Sequence, residues 1–271
     1  MSKRFFFLII LFFSLQSCTS CFKQSNIGEK SFSGTVELYR DSLSIMGYPI
    51  ISDSIPSQLL VRKCYTVSYN QMTKQPNWVM WKLTTDRVVP RKEGVWNEYH
   101  EDLDIALEER SINEDYALSG FDRGHMCPGG DCNWDDIGRD ETFLLSNMCP
   151  QNPNLNRGDW KEIEIACRKW AQKYGTVYIV CGPIFLRQEH ITIGENLIPV
   201  PEAFFKVVLA PDCYYPKGIG FICRNTDGNR KKDFYVNSIR QVERITGYKF
   251  FPMLNDSIKQ AIYNNDDINV W

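Results

Sequence analysis

Five apolar residues, Trp160, Ile163, Cys167, Trp170 and Tyr174, recur at alternating three- and four-residue steps, and Gly175 follows the last of them. That spacing lays one apolar stripe along a helix, and the stripe has to be covered. The chain supplies the cover on both sides. Upstream, residues 64–69 and 78–83 are rich in β-branched and aromatic side chains, and the polar stretch 70–77, with Pro76, predicts a hairpin between them. Downstream, residues 176–181, 203–210 and 218–223 read as strands, and 238–246 and 256–263 as short terminal helices. Strands interrupted by an inserted helix predict an α+β fold, with a central, largely antiparallel sheet flanked by helices. Asn154 or Asn156 is expected to cap the central helix and Gly175 to stop it. Residues 86–120 are charged and broken by Pro90, Gly94 and Gly120, which predicts a long functional loop region.

The first residues bear on the compartment. Lys3 and Arg4 precede an unbroken apolar run, 5–13, and then Ser14, Leu15, Gln16, Ser17 and Cys18. A basic start, a short apolar run and a small residue before the cut describe a secretory signal peptide. The run is too short for a spanning helix. Leu15-Gln16-Ser17-Cys18 also resembles a bacterial lipobox, which makes residues 1–17 a lipoprotein-type signal and Cys18 the lipid-bearing residue; ordinary cleavage nearby is the alternative. Residues 18–34 then read as a flexible tether and 35–271 as a single folded domain. The expected location is an exported protein, anchored to a bacterial membrane and facing periplasm or cell surface, or otherwise secreted.

Ten cysteines fit an oxidising compartment, as disulfides or buried thiols, and none shows the close pairing of a zinc site. Net charge is only −2, so no global field announces a polyanion partner and any basic site has to be local. Residues 211–250 carry eight Lys and Arg against four Asp and Glu. Arg230-Lys231-Lys232 within them either lines a groove for a polyanionic backbone or is a solvated turn.

The chemistry-bearing stretch runs from Phe121 to Glu164. Of three histidines, His100, His125 and His190, only His125 lies among an Arg, an Asp and a downstream cluster of amides and carboxylates. A neutral imidazole takes a proton from water near neutral pH. Arg123 offers a planar fork matched to phosphate oxygens. Asn147 and Asn156 supply oxygen ligands or hydrogen bonds without charge, which suits Mg²⁺. Glu164 falls at the edge of the helical stripe, as a rim charge or a group turned into a site. These residue types suggest hydrolysis of a phosphate ester.

Three motifs occur in order: Asp122-Arg123-Gly124-His125; Ser146-Asn147-Met148-Cys149-Pro150-Gln151; and Leu155-Asn156-Arg157-Gly158-Asp159-Trp160 through Glu164. Together they resemble the DNA/RNA non-specific endonucleases, the ββα-metal or His-Me finger nucleases. The resemblance implies a ββα-metal nuclease fold and a metal-dependent endonuclease that cuts DNA and RNA with little sequence preference, leaving 5′ phosphates. It implies His125 as general base, Arg123 neutralising phosphate charge and Asn147 orienting the site. It also implies Asn156 as direct ligand of one Mg²⁺ (or Mn²⁺), with Glu164 acting on that ion through water. An upstream phosphate-binding arginine is also implied; Arg87 and Arg91 are the nearby choices and Arg91 is preferred. Dimers occur among such proteins, so a dimer is open here. Asp122 is read as a loop brace and Trp160 as core, and His100 and His190, without motif company, as surface or packing residues. Two other readings remain: a catalytically idle lipoprotein that binds nucleic acid, and a metal phosphodiesterase acting on a small substrate.

Overall fold

The computed structural model describes residues 43, 45–92, 97–226, 228 and 230–271. The signal, Cys18 and tether expectations, and Gly94 and Trp96, lie outside them. Seven strands form one antiparallel sheet in the order β1-β2-β3-β6-β9-β10-β11: β1 (Gln58–Val61), β2 (Thr66–Asn70), β3 (Gln75–Thr84), β6 (Thr176–Ile184), β9 (Ala203–Ala210), β10 (Lys217–Arg224) and β11 (Val236–Asn237). The expected hairpin is β2–β3, closed by a tighter turn than the polar stretch suggested. Pro76 is accommodated where the register slips between Ser68 and Tyr69, since a proline cannot donate to a regular ladder. The predicted strands at 176–181, 203–210 and 218–223 are all present, two of them extended by a few residues.

Antiparallel sheets often leave one face wet; this one is covered on both. All eight residues of β9 are buried. Phe204, Val208 and Ala210 pack on one face with Trp81, Ile179 and the helix residues Trp160, Ile163, Cys167 and Trp170. Phe205, Val207 and Leu209 pack on the other with Ile239, Val242 and Ile262. The second face is closed by two helices, Ile239–Thr246 and Asp256–Ile262. Ser238 caps the first in a reciprocal pair with Gln241, and Gly247 ends it at φ 75°.

The first face carries the chemistry. Two short strands, β4 (Asp122–His125) and β5 (Met148–Gln151), pair antiparallel apart from the large sheet, as do β7 (Thr192–Ile193) and β8 (Ile198–Pro199) elsewhere. A helical stretch follows in three pieces: one turn at Pro153–Leu155, a widened π turn at Asn156–Trp160, and α4 (Lys161–Tyr174), to which the short helices Asn113–Tyr116 (α1), Asp136–Glu141 (α2) and Pro153–Leu155 (α3) are prior. Strand, strand and helix together make the expected ββα unit. Gly175, at φ 85°, stops α4 as expected. The cap differs: Asn152 takes the role expected of Asn154 or Asn156, its side chain accepting from Asn154 N at 2.9 Å. Proline at the first helical position and the widening at Gly158 (φ −109°, ψ −105°) move the start upstream and free Asn156 for other work. The described residues between 86 and 120 hold only short turns and α1, with no strand of the large sheet.

The described cysteines are thiols. Cys64, Cys127, Cys132, Cys149, Cys167, Cys181 and Cys223 are buried and form no disulfide with each other, and Cys213 is half-buried. Of the two expectations, burial is the one seen among the described residues. Their small, weakly polar side chains fill the interior as apolar groups do.

Candidate active site on the ββα unit

Strand alternation turns Arg123 and His125 to one face of β4 and Asp122 and Gly124 to the other. Gly124 is required by crowding: a Cβ there would stand 2.3 Å from Gln151 Oε1. Both ends of the strand are tied to the π turn. At one end Asp122 accepts from Asn156 Nδ2 at 2.9 Å and pairs with Arg157 through two bonds at 2.8 and 2.6 Å. At the other, Trp160 Nε1 donates to His125 O at 3.3 Å. Asp122 is therefore a brace. Its pKa sits below the ordinary carboxylate value because the bonds from Arg157 and Asn156 outweigh burial.

His125 stands against Phe143 edge-on, centroids 4.9 Å apart, and against Tyr99 at 5.6 Å. Its Nε2 is buried and has no hydrogen-bond partner. Burial, aided by the charge of Arg139, pushes its pKa down to about 4, so the ring is neutral at neutral pH. Arg123 is clamped between Tyr99 and Tyr116, whose centroids lie 5.2 and 5.4 Å from its guanidinium carbon. Its terminal nitrogen donates to Asn113 O at 2.7 Å, and its Nε is buried without a partner. Orphaned buried polar atoms are uncommon and mark places where something else binds.

Asn147 is fully buried and spends its amide on backbone. Its Oδ1 accepts from Cys127 N at 2.9 Å, and its Nδ2 donates to Cys127 O and Thr142 O, both at 2.8 Å. With Met126 N donating to Asn147 O at 2.9 Å, the residue fixes the chain just after His125. Its contact with the site is through that backbone.

Asn156 is half-buried; its nitrogen is held by Asp122, and its Oδ1 makes no bond among the described residues. Glu164, also half-buried, has no hydrogen bond among them either. Burial pushes its pKa up to about 7, opposed by the charge of Lys206. No group of three or more His, Cys, Asp or Glu able to hold a metal occurs among the described residues. A cation here would take few protein oxygens and keep most of its water, which suits Mg²⁺ and not zinc.

The two upstream arginines part company. Arg87 stacks on Trp134 at 4.4 Å and donates to Lys82 O. Arg91 is exposed, and its charge acts on Arg139, which in turn acts on His125. Arg139 was not singled out in sequence. It is buried, donates to Asn97 Oδ1 at 2.8 Å and to Asn133, and lies over Phe143 at 5.7 Å. Lys206 was also missed. Its Nζ is buried without a partner, 4.1 Å from the Trp160 ring centroid and 5.3 Å from that of Trp81. Burial penalises its charge, but Cys181, Glu164, Cys167 and Asp131 hold its pKa above the ordinary value. Asp131 in turn accepts from Trp81 Nε1 at 2.9 Å and from Arg168 at 2.7 Å. His100 is half-exposed beside Asp140, and His190 pairs with Glu202 at 2.9 Å, away from His125.

The DNA/RNA non-specific endonuclease profile matches residues 47–257, which take in the whole ββα unit and all seven strands of the large sheet. The chain belongs to this family. Mouse mitochondrial nuclease EXOG is 32% identical over 209 residues, 71% of this chain and 56% of its own. Nuclease C1 of Cunninghamella echinulata var. echinulata is 35% identical over 214 residues, 73% of this chain and 84% of its own. The crystal structure of an EndoG/EndoGI complex aligns with a TM-score of 0.76 and 27% identity, over 84% of this chain and 97% of that one. The chain thus spans just over half the length of the mitochondrial nuclease. The endonuclease family's ββα-metal fold is the one described above. No helix among the described residues is long and apolar enough to cross a membrane.

Proposed function

We propose that the chain is a divalent-metal-dependent endonuclease that hydrolyses phosphodiester bonds of DNA and RNA with little sequence preference, leaving 5′ phosphates. The observation that carries this reading is His125: neutral at neutral pH, its Nε2 unpartnered, on a strand pinned to the turn that presents Asn156 Oδ1. His125 takes the proton of the attacking water, which a ring protonated near pH 6.5 does less well. The Tyr99 and Phe143 rings pack against the imidazole and fix its plane. Arg123, already oriented by its two aromatic neighbours, meets the phosphate charge. Arg91 is proposed as the second phosphate contact, from the edge where Arg139 lies.

Asn156 would hold a Mg²⁺ or Mn²⁺ ion and Glu164 would steady it through water; bound there, the ion supplies charge stabilisation to the phosphate and the leaving oxygen. Asp122 holds Asn156 by its nitrogen, which leaves its oxygen for the ion. Asn147 acts by positioning the chain that follows His125. The basic stretch 230–232 reads as part of the groove because Asp159, inside the π turn, accepts from Arg230 N at 3.1 Å and from the Tyr235 hydroxyl. Contacts to phosphates without base contacts carry little sequence information. Export and a lipid anchor on Cys18 belong to the same proposal, supported by the character of residues 1–18.

The test is cleavage of supercoiled plasmid and folded RNA with Mg²⁺ and with EDTA, followed by end labelling. Nicking of both, lost in EDTA, with ends that accept label only after phosphatase treatment, is expected. Intact substrates across Mg²⁺ and Mn²⁺ would leave a nucleic-acid-binding protein instead, and cleavage of small phosphodiesters alone would favour a small-substrate phosphodiesterase.

A further inference from the structure

A cavity of about 510 Å³ opens beside β4, between the chain before Asp122 and the end of β10. Phe121, Ile191 and Val200 line its apolar side, and Arg187 and Arg224 bring two cations to it. Glu202 also lines it, but its carboxylate is engaged with Leu186 N at 2.8 Å and His190 Nδ1 at 2.9 Å. Arg187 and Arg224 are exposed and make no hydrogen bond or ion pair among the described residues. The cavity therefore presents an apolar wall and a net positive charge, two arginines against the one carboxylate of Glu202.

Its place relative to the site is fixed. Phe121 directly precedes Asp122, which holds Asn156, and strand alternation turns Phe121 to the face that carries Arg123 and His125. Phe121 and Tyr99, the ring against His125, pack on the same small cluster. On the opposite wall Asn225 accepts from Asn152 N at 2.8 Å and donates to Pro150 O and Pro201 O at 3.0 and 2.9 Å. The wall is thus stitched to the end of β5 and to the start of the segment bearing Asn156.

We propose that this cavity is a nucleotide subsite of the same active site: it takes one unstacked nucleotide of the substrate strand next to the scissile bond. The base lies on the Phe121–Ile191–Val200 wall, and Arg187 and Arg224 meet its phosphate. The volume falls in the range of small-ligand sites, and an aromatic wall with flanking arginines is what a single-stranded base and its phosphate require. A base has to leave the duplex stack to enter, so single strands and frayed ends are preferred over intact duplex. The proposal rests on the nuclease reading, and its test separates the two.

Single-stranded 12-mers carrying one abasic residue at successive positions are cut with Mg²⁺ by the wild-type protein, by Ile191→Trp, which fills the rim, and by Arg224→Ala. The wild type is expected to cut one bond, at a constant offset from the abasic residue, about 5- to 100-fold more slowly, the effect of one lost stack. That position dependence should shrink toward uniform cutting in both variants. Binding of thymidine 5′-monophosphate in EDTA, followed by NMR at millimolar concentration, reads the cavity without catalysis. It should perturb Ile191 and Arg224 in the wild type and weaken at least fivefold in Ile191→Trp. Uniform cutting by the wild type, or an unchanged penalty in both variants, overturns the subsite and leaves the nuclease reading intact. Uncut oligonucleotides with nucleotide still bound in the cavity overturn the nuclease reading and keep the subsite; no binding in the cavity overturns the subsite whatever the cutting shows.

Discussion

Replacing Asn147 by alanine removes three hydrogen bonds at once and puts nothing in their place. The amide serves Cys127 N, Cys127 O and Thr142 O, and Cys127 and Thr142 are themselves fully buried. One donor and two acceptors are left without water or partner. A buried orphan costs roughly 1–3 kcal/mol, and near the lower end of that range three of them sum to about 3–5 kcal/mol. Against a total stability of about 5–15 kcal/mol this is a large share. Urea unfolding followed by the fluorescence of the seven tryptophans is the assay. With a slope of roughly 2–3 kcal/mol/M, the midpoint should fall by about 1–2 M. Activity well below the transition should also fall, because Cys127 is two residues from His125. A midpoint shift under about 0.3 M would refute the reasoning, since it would mean that the three backbone groups find other partners.

Three other outcomes follow from the same geometry. In an NMR titration of the three histidines, the His125 ring should stay neutral down to about pH 4, and a midpoint near 6.5 would contradict its burial. With the folded pKa below the unfolded 6.5, the unfolded chain takes up the proton first. The stability contributed by the neutral ring is then full above pH 6.5 and is lost, to about 3 kcal/mol, as pH falls to 4. Asp122→Ala releases Asn156 Nδ2 and Arg157, and Mn²⁺ affinity measured by calorimetry should drop about 10- to 100-fold; an unchanged affinity would show that Asp122 does not orient the ligand. In a Cys18→Ser, Cys21→Ser protein, a thiol reagent should modify Cys213 quickly and the seven buried cysteines only in denaturant; eight fast thiols would contradict their burial.

The fold was legible where a short-range period carried it. The stripe from Trp160 to Trp170 is the buried face of α4 and of the turn that enters it, and the strand runs lie in the large sheet as read. The start of the helix was misread because the π turn at Asn156–Trp160 has no simple period, and because Asn152 caps a turn opened by Pro153. The motif residues were visible as a linear order of residue types. Arg139 and Lys206 were not: one reaches the site from α2 and the other from the middle of β9, through contacts that only the folded chain makes. A lysine within an otherwise apolar strand, Phe204-Phe205-Lys206-Val207-Val208, was the one signal available for Lys206. The cavity at Phe121 gathers residues from four separate chain segments and had no linear signature.

The central claim is that His125 supplies the base. The direct measurement is the single-turnover rate of plasmid nicking with saturating Mg²⁺ for the wild type and for His125→Ala, with the unfolding midpoint of each measured alongside. Positioned proton transfer contributes about 10²–10⁴ in rate, so a loss of that size with folding retained is the predicted result. A folded His125→Ala protein that nicks within tenfold of the wild type would contradict the account.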